Sequence, residues 1–580
     1  MTFSPNPRRL LHLLARKIPG GGDALARLRV DLNLWTPAVK RRLQEHRHLE
    51  RILKGMKHLV APPGPTSLAD PYRTSDASEL PRPASPSGLR LSGLFSDHMV
   101  LQQGRPIPVW GRAADGDSIE VRFNGATART TARGGRFRVE LPPQPAGGPS
   151  ALTVVGRDRI ELLDVLVGDV WLCAGQSNME WRLVDSHAPK EAVPTATNAR
   201  LRLFTVPRQK ADARVDEVEA IWKRCDSAAA MDFSAVGFYF GRDVQKSQGV
   251  PVGVIAASWG GSPIESWMPL EALAQDPELE REVLARVPEQ RRAFEQVLAQ
   301  WEAETASLER AGKRPASERP WWNWMPAELF NAMIAPLVPF PLRGFAWYQG
   351  EANIDRPWLY RKLFSALIDS WRREFGSSEL PFLAVQIAPW DRDRGRSLAE
   401  ISRAPEESAL AELREAQLLT ARSVRGVGLA VTLDVGEKDD IHPPRKREVG
   451  ERLARLARTL AYGEKLVASG PLFREMAADG ENLVLSFDHT SEGLVAAGGA
   501  PTGFAIAGED HVFCWAEARI EGATVVLRSP EVPRPVAARY GWADFPIGNL
   551  FNRDGLPASP FRTDAPADAG HDLSLEKESL

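Results

Sequence analysis

The chain has only three cysteines in 580 residues, Cys173, Cys225 and Cys514. Three thiols cannot form a framework of paired bridges, and none stands in a CxxC or Cys/His spacing suited to a metal, so each reads as a buried free thiol. No run approaches the ~18 consecutive apolar residues of a spanning helix. A basic excess is also missing: a formal net charge of -2 with 26% charged residues does not describe a nucleic-acid binder. The 43% hydrophobic content is that of a globular protein, and the length predicts two to four domains with a large core. A secretory leader is not recognisable either, because the apolar run after Arg8 and Arg9 is broken by His12, Arg16, Lys17 and Pro19. The compartment therefore stays open.

What is present changes in texture along the chain. Residues 1–60 alternate leucine with Arg and Lys, the pattern of short basic amphipathic helices that cover the body of the protein or rest on a membrane surface or a partner. Residues 61–88, rich in Pro, Ser and Asp, read as a linker. Over 89–164, short alternating runs such as Ser118–Gly125 and Gly135–Leu141 predict a small β domain. Over 165–462, continuous apolar runs (Val170–Ala174, Val252–Ala257, Gly344–Tyr348, Phe382–Ile387, Gly428–Leu433) alternate with helical stretches. Buried parallel strands give such runs, so an α/β core with catalytic residues at the strands' C-terminal ends is expected. A charged stretch over about 276–313 reads as a solvated helical insertion, 463–564 as a second β domain, and 565–580 as a disordered tail.

The chemistry concentrates at two places. The run Val170–Ala174 leads into Gly175-Gln-Ser-Asn-Met-Glu180, a small-residue turn that can lift Ser177 to the head of a helix, where backbone N–H groups face a developing oxyanion. Met179 stands where a GxSxG elbow would need its second glycine, which disfavours an ordinary α/β-hydrolase elbow. A serine hydroxyl needs a base, and among ten histidines the best placed is His442 in Asp439-Asp440-Ile-His-Pro443, on a loop between the strand ending at Leu433 and a basic helix over Lys446–Leu460.

Together these segments resemble the sialate O-acetylesterase family of the SGNH hydrolases. The likeness is carried by Leu94-Phe-Ser-Asp-His-Met-Val-Leu-Gln102, Gly168–Met179, Ser258-Trp-Gly-Gly-Ser-Pro-Ile-Glu-Ser-Trp267, Trp347-Tyr-Gln-Gly-Glu351, Asp440-Ile-His-Pro443, Arg539–Asp544 and Gly555–Arg562, and spans residues 89–564. It implies a three-layer α/β/α SGNH core flanked by β-sandwich-like domains, with Ser177 as nucleophile, His442 as base and no cofactor or metal. Asp439 fits the DxxH spacing usual in SGNH hydrolases and Asp440 the family's Asp-Ile-His-Pro form, so either is a candidate to orient the imidazole. The oxyanion hole is expected from the N–H groups of Ser177 and Gly261 and the side-chain amide of Gln349, with Glu351 at the substrate or beneath the site. The family's usual threonine after the two glycines is Ser262 here, and the serine preceding Gly175 is Ala174.

The implied substrate is an acetylated sugar, such as an acetylated sialic acid or plant polysaccharide side chain, which Trp259, Trp267, Trp347 and Trp358 could face unless they serve the core. Two other classes fit the same residues: an acyltransferase using the same nucleophile, and a carbohydrate-binding protein without catalysis, which the intact serine and histidine motifs disfavour.

Overall fold

The computed structural model describes residues 88–564 apart from 188, 311, 313, 315–318, 321–323 and 394. The basic segment expected over 1–60, the linker over 61–88 except Gly88, and the tail over 565–580 lie outside the described residues.

A long strand, β1 (Arg159–Gly175), organises the mixed α/β fold. Its first half pairs with the strands Gly147–Val155 and Val100–Gln102 of the leading β region. Its second half is the middle of a parallel sheet formed with β2 (Asn198–Thr205), β3 (Lys223–Cys225), β4 (Val252–Ser258), β5 (Gly344–Tyr348), β6 (Phe382–Val385) and β7 (Val427–Ala430), in the order β3-β2-β4-β1-β5-β6-β7. Only the β3–β2 pair is antiparallel. From Val165 to Gly175 every residue of β1 is buried, as a strand covered on both faces must be.

The two faces separate by alternation. Trp171, Cys173, Val254 and Tyr348 pack with α2 (Ala235–Gln248) and α5 (Lys446–Leu460) through Val236, Phe240, Val449 and Leu453. Leu172, Ala174, Phe345 and Trp347 pack on the other face with α3 (Pro357–Glu374) and α4 (Ala409–Ser423) through Leu363, Leu367 and Leu413. Because β1, β4, β5 and β7 run parallel, the segments following Gly175, Ser258, Tyr348 and Ala430 all emerge at one edge of the sheet.

An ion cluster ties the leading β region to this sheet. The Asp164 carboxylate meets His98 Nδ1 at 2.8 Å, Arg224 Nε at 2.8 Å and Arg202 Nη2 at 3.0 Å. Burial works to raise the Asp164 pKa, but His98, Arg224 and Arg202 together hold it below the ordinary aspartate value. A carboxyl whose pKa is lowered on folding stabilises above its unfolded pKa, about 4, and loses that contribution as pH falls through the folded value. Asp164→Asn should therefore cost about 3 kcal/mol at pH 7, and the deficit in thermal unfolding should narrow as pH approaches 3. A deficit independent of pH would contradict this.

The charged insertion forms a 24-residue helix, Val287–Arg310, with no buried residue. Beyond Tyr462, two four-stranded sheets and a two-stranded ribbon share a core of Phe473, Leu485, Ile506, Tyr540 and Phe561. Arg414 on α4, fully buried, fastens the closing Arg539–Asp544 segment by donating to the carbonyls of Ala543 at 2.8 Å and Asp544 at 2.9 Å. Cys173 and Cys225 are buried free thiols, but Cys514, expected to be buried, is half-exposed on a two-residue strand.

Candidate active site

Ser177 opens the single-turn helix α1 (Ser177–Glu180) directly after β1. The turn between them needs Gly175: its φ is +145°, and a Cβ there would stand 2.1 Å from the Tyr348 carbonyl oxygen of neighbouring β5. The Gln176 N–H donates to that same oxygen at 3.1 Å, pinning the turn to the sheet. His442 arrives on the loop after β7, and its Nε2 lies 2.8 Å from Ser177 Oγ. The imidazole stacks on Trp181, with ring centroids 5.1 Å apart and planes at 22°.

The two aspartates are separated by their surroundings. Asp439 is exposed and ion-paired with Lys438. Asp440 accepts the His442 backbone N–H at 2.8 Å, and its carboxylate lies 4.0 Å from His442 Nδ1, longer than a hydrogen bond.

The turn Trp259–Ser262 lies against the serine, since a Cβ built on Gly260 would stand 3.3 Å from Ser177 Cβ. The Gly260 N–H is taken by Glu180 Oε2 at 2.6 Å, and Glu180 also accepts from Arg208 at 2.7 Å. Gly261, at φ +75°, is exposed, and its N–H and that of Ser177 meet no acceptor among the described residues. The Ser177 N–H, open at the head of α1 next to a hydroxyl held by an imidazole, is placed where an oxyanion donor is needed.

Gln349 departs from expectation. Its side chain is fully buried and its amide nitrogen donates to Asn353 Oδ1 at 2.7 Å and to the Ser262 carbonyl at 3.2 Å, while its Oε1 accepts from Tyr360 at 3.0 Å. With both amide hydrogens committed, it braces the glycine turn from beneath and offers none to an oxyanion, which corrects the role expected of it.

Glu351 is likewise buried, at 6% exposure. It accepts from Asn178 Nδ2 at 2.6 Å. Asn178, fully buried next to the serine, also donates to the Ile441 carbonyl at 3.1 Å and accepts from Lys446 Nζ. Burial raises the Glu351 pKa and lowers that of Lys446 to about 7, the latter against the pull of Glu351 and Asp440.

The tryptophans divide. Trp267 and Trp347 are fully buried against each other in the core, and Trp358 is 57% exposed on α3. Trp259 meets Trp324 edge-on at 5.3 Å, and Lys210 Nζ stands 4.2 Å from the Trp324 ring centroid, beside Gly261. Sequence reasoning missed Trp181, Asn178, Glu180 and Lys446. Asn178 and Glu180 lay inside the serine motif and could have been suspected, whereas Lys446 heads a helix that the sequence marks only as basic. Among the described residues no group of three or more His, Cys, Asp or Glu could hold a metal, and no helix is long and apolar enough to cross a membrane.

The model of the carbohydrate esterase family of sialic acid-specific acetylesterases matches residues 167–313 and 316–459. Sialate O-acetylesterase from Rattus norvegicus is 29% identical over 536 residues, covering 82% of this chain and 94% of that protein. The Homo sapiens sialate O-acetylesterase is 29% identical over 427 residues, covering 66% of this chain and 73% of that protein. The crystal structure of a carbohydrate acetylesterase from Xanthomonas citri is 40% identical with a TM-score of 0.71, covering 82% of this chain and all of that one. The chain belongs to the carbohydrate esterase family of sialic acid-specific acetylesterases.

Proposed function

We propose that this chain is a carbohydrate O-acetylesterase that removes acetyl groups from sugar hydroxyls through an acetyl-Ser177 intermediate. The observation carrying this reading is the 2.8 Å approach of Ser177 Oγ to His442 Nε2 at the C-terminal edge of a parallel sheet. In the neutral imidazole with its proton on Nδ1, Nε2 accepts the serine proton as Oγ attacks the acetyl carbonyl. The N–H groups of Ser177 and Gly261 receive the oxyanion. His442 then protonates the departing sugar oxygen, and a water deprotonated by the same nitrogen releases acetate. The order of parallel strands and the helices on both faces support an SGNH-type core at about 165–462, with the β regions at 89–164 and 463–564 as flanking sandwich-like domains.

Asp440 is the better candidate to orient His442, since it grips the loop at the histidine's own N–H while Asp439 faces Lys438. Asp439→Ala should leave kcat within about 2-fold, and Asp440→Ala should lower it about 10-fold or more, less than the ~10⁴-fold of a tightly hydrogen-bonded Asp–His pair. The reverse ranking would reassign the role.

The reading is tested by acetate release from an O-acetylated sialic acid, an acetylated xylo-oligosaccharide and a small aryl acetate. Release from a sugar ester supports it. Hydrolysis of none, with acetyl passing instead to an added sugar acceptor, would make the protein a transferase.

A further inference from the structure

The buried amide of Asn178 holds three separate segments together. Its own residue follows the nucleophile; its Nδ2 donates to Glu351 after β5 and to the Ile441 carbonyl, one residue before the base; its Oδ1 accepts from Lys446 at the head of α5. An amide in a closed pocket can turn over, exchanging oxygen for nitrogen at little steric cost. Here the ionised partners prevent it: the Lys446 ammonium, which only donates, requires the amide oxygen, and the Glu351 carboxylate, which only accepts, requires an N–H. Lys446 is 1% exposed and Asn178 fully buried, so no solvent replaces either partner. The charged and titratable groups around this cluster are Glu351 and Tyr348 from the end of β5, Asp440 from the histidine loop and Arg414 from α4, while the rings of Trp181 and Tyr348 lie 5.8 and 5.6 Å from Lys446 Nζ.

Resting on the assignment of Ser177 and His442 above, we propose that Asn178 is the positioning residue that sets the base against the nucleophile, and that Lys446 and Glu351 act by fixing the orientation of its amide. The second N–H of that amide, aimed at Ile441, is what ties the histidine loop to the serine turn. Neither Lys446 nor Glu351 touches the reacting atoms.

The test is an exchange of amide and carboxylate, Asn178→Asp with Glu351→Gln. The double variant keeps net charge and side-chain size, lets the new aspartate pair with Lys446 and accept from the new glutamine, and removes only the donor to Ile441. A displacement of about 1 Å between catalytic groups costs on the order of 100-fold in rate. We expect kcat for aryl acetate hydrolysis to fall about 100-fold with KM within about 3-fold and the thermal midpoint little changed. Lys446→Met, which leaves the Glu351 carboxylate alone to orient the amide, should lower kcat in the same direction but by less.

A folded exchange variant with kcat within about 3-fold of wild type would overturn the proposal, even if Lys446→Met does not fold. A Lys446→Met protein with wild-type kcat would also overturn the part given to lysine. Ser177→Ala measured alongside separates the two levels: if it stays active, the assignment of the nucleophile fails, and if it is inactive while the exchange variant is not, only the positioning role fails.

Discussion

Ser177→Ala should lower kcat for aryl acetate hydrolysis by at least ~10⁴-fold while leaving the thermal midpoint close to that of the wild type. The hydroxyl lies 2.8 Å from His442 Nε2, and alanine at the first position of α1 is compatible with the helix, so the loss would be chemical. His442→Ala should approach the same floor, because serine without its base is a weak nucleophile. The two losses should not add: Ser177→Ala combined with His442→Ala should be no slower than Ser177→Ala alone, since each step requires both groups. Residual activity would come from the proposed oxyanion donors, the N–H groups of Ser177 and Gly261, which neither substitution removes. Initial-rate measurements on folded variants check this, and an unchanged rate in Ser177→Ala would remove the covalent mechanism.

Gly175→Ala should destabilise the protein by about 4 kcal/mol and abolish activity even in the fraction that folds. One contribution is backbone strain of about 1–3 kcal/mol, since φ of +145° is a conformation that L residues rarely adopt. The other is overpacking of similar size, as the new Cβ would stand 2.1 Å from the Tyr348 carbonyl oxygen and 2.8 Å from its carbon. Neither contact can yield by a rotamer change, because both atoms belong to the backbone of β5, paired with β1 from Gly344 to Tyr348. Relief requires the serine turn to move away from the sheet, which breaks the Gln176–Tyr348 hydrogen bond and draws Ser177 from His442. Chemical denaturation and rate measurements on the same preparation check both effects. A variant of wild-type stability would show that the turn adapts in a way the close approach does not permit.

The legibility of the molecule varies with the range of the interaction. The parallel strands were readable because a strand buried on both faces must be apolar throughout, and Val170–Ala174, Val252–Ala257 and Gly344–Tyr348 have no polar residue to interrupt them. Ser177 and His442 were readable because a nucleophile in a tight turn and a base on a loop leave short motifs. Gln349 was misread because it stands next to the site in sequence, yet the chain turns its side chain down into the layer between β5 and α3, where Tyr360 and Asn353 take it up. Lys446 was overlooked for the opposite reason: it belongs to a helix of high charge, and only the folded chain shows that its ammonium points inward at Asn178, 268 positions earlier.

By itself the sequence determined the layered class of the fold, the pairing of a serine turn with a histidine loop, and the exclusion of a disulfide framework, because each depends on residue type and local spacing. Which aspartate stands nearer the imidazole, which backbone N–H groups are open beside the nucleophile, and which buried polar groups hold the two catalytic loops in register were decided only by the tertiary structure. Those are questions of distance and direction between segments hundreds of residues apart, set by the packing of helices on both faces of the sheet, and a burial that leaves one amide three partners has no signature in composition or period.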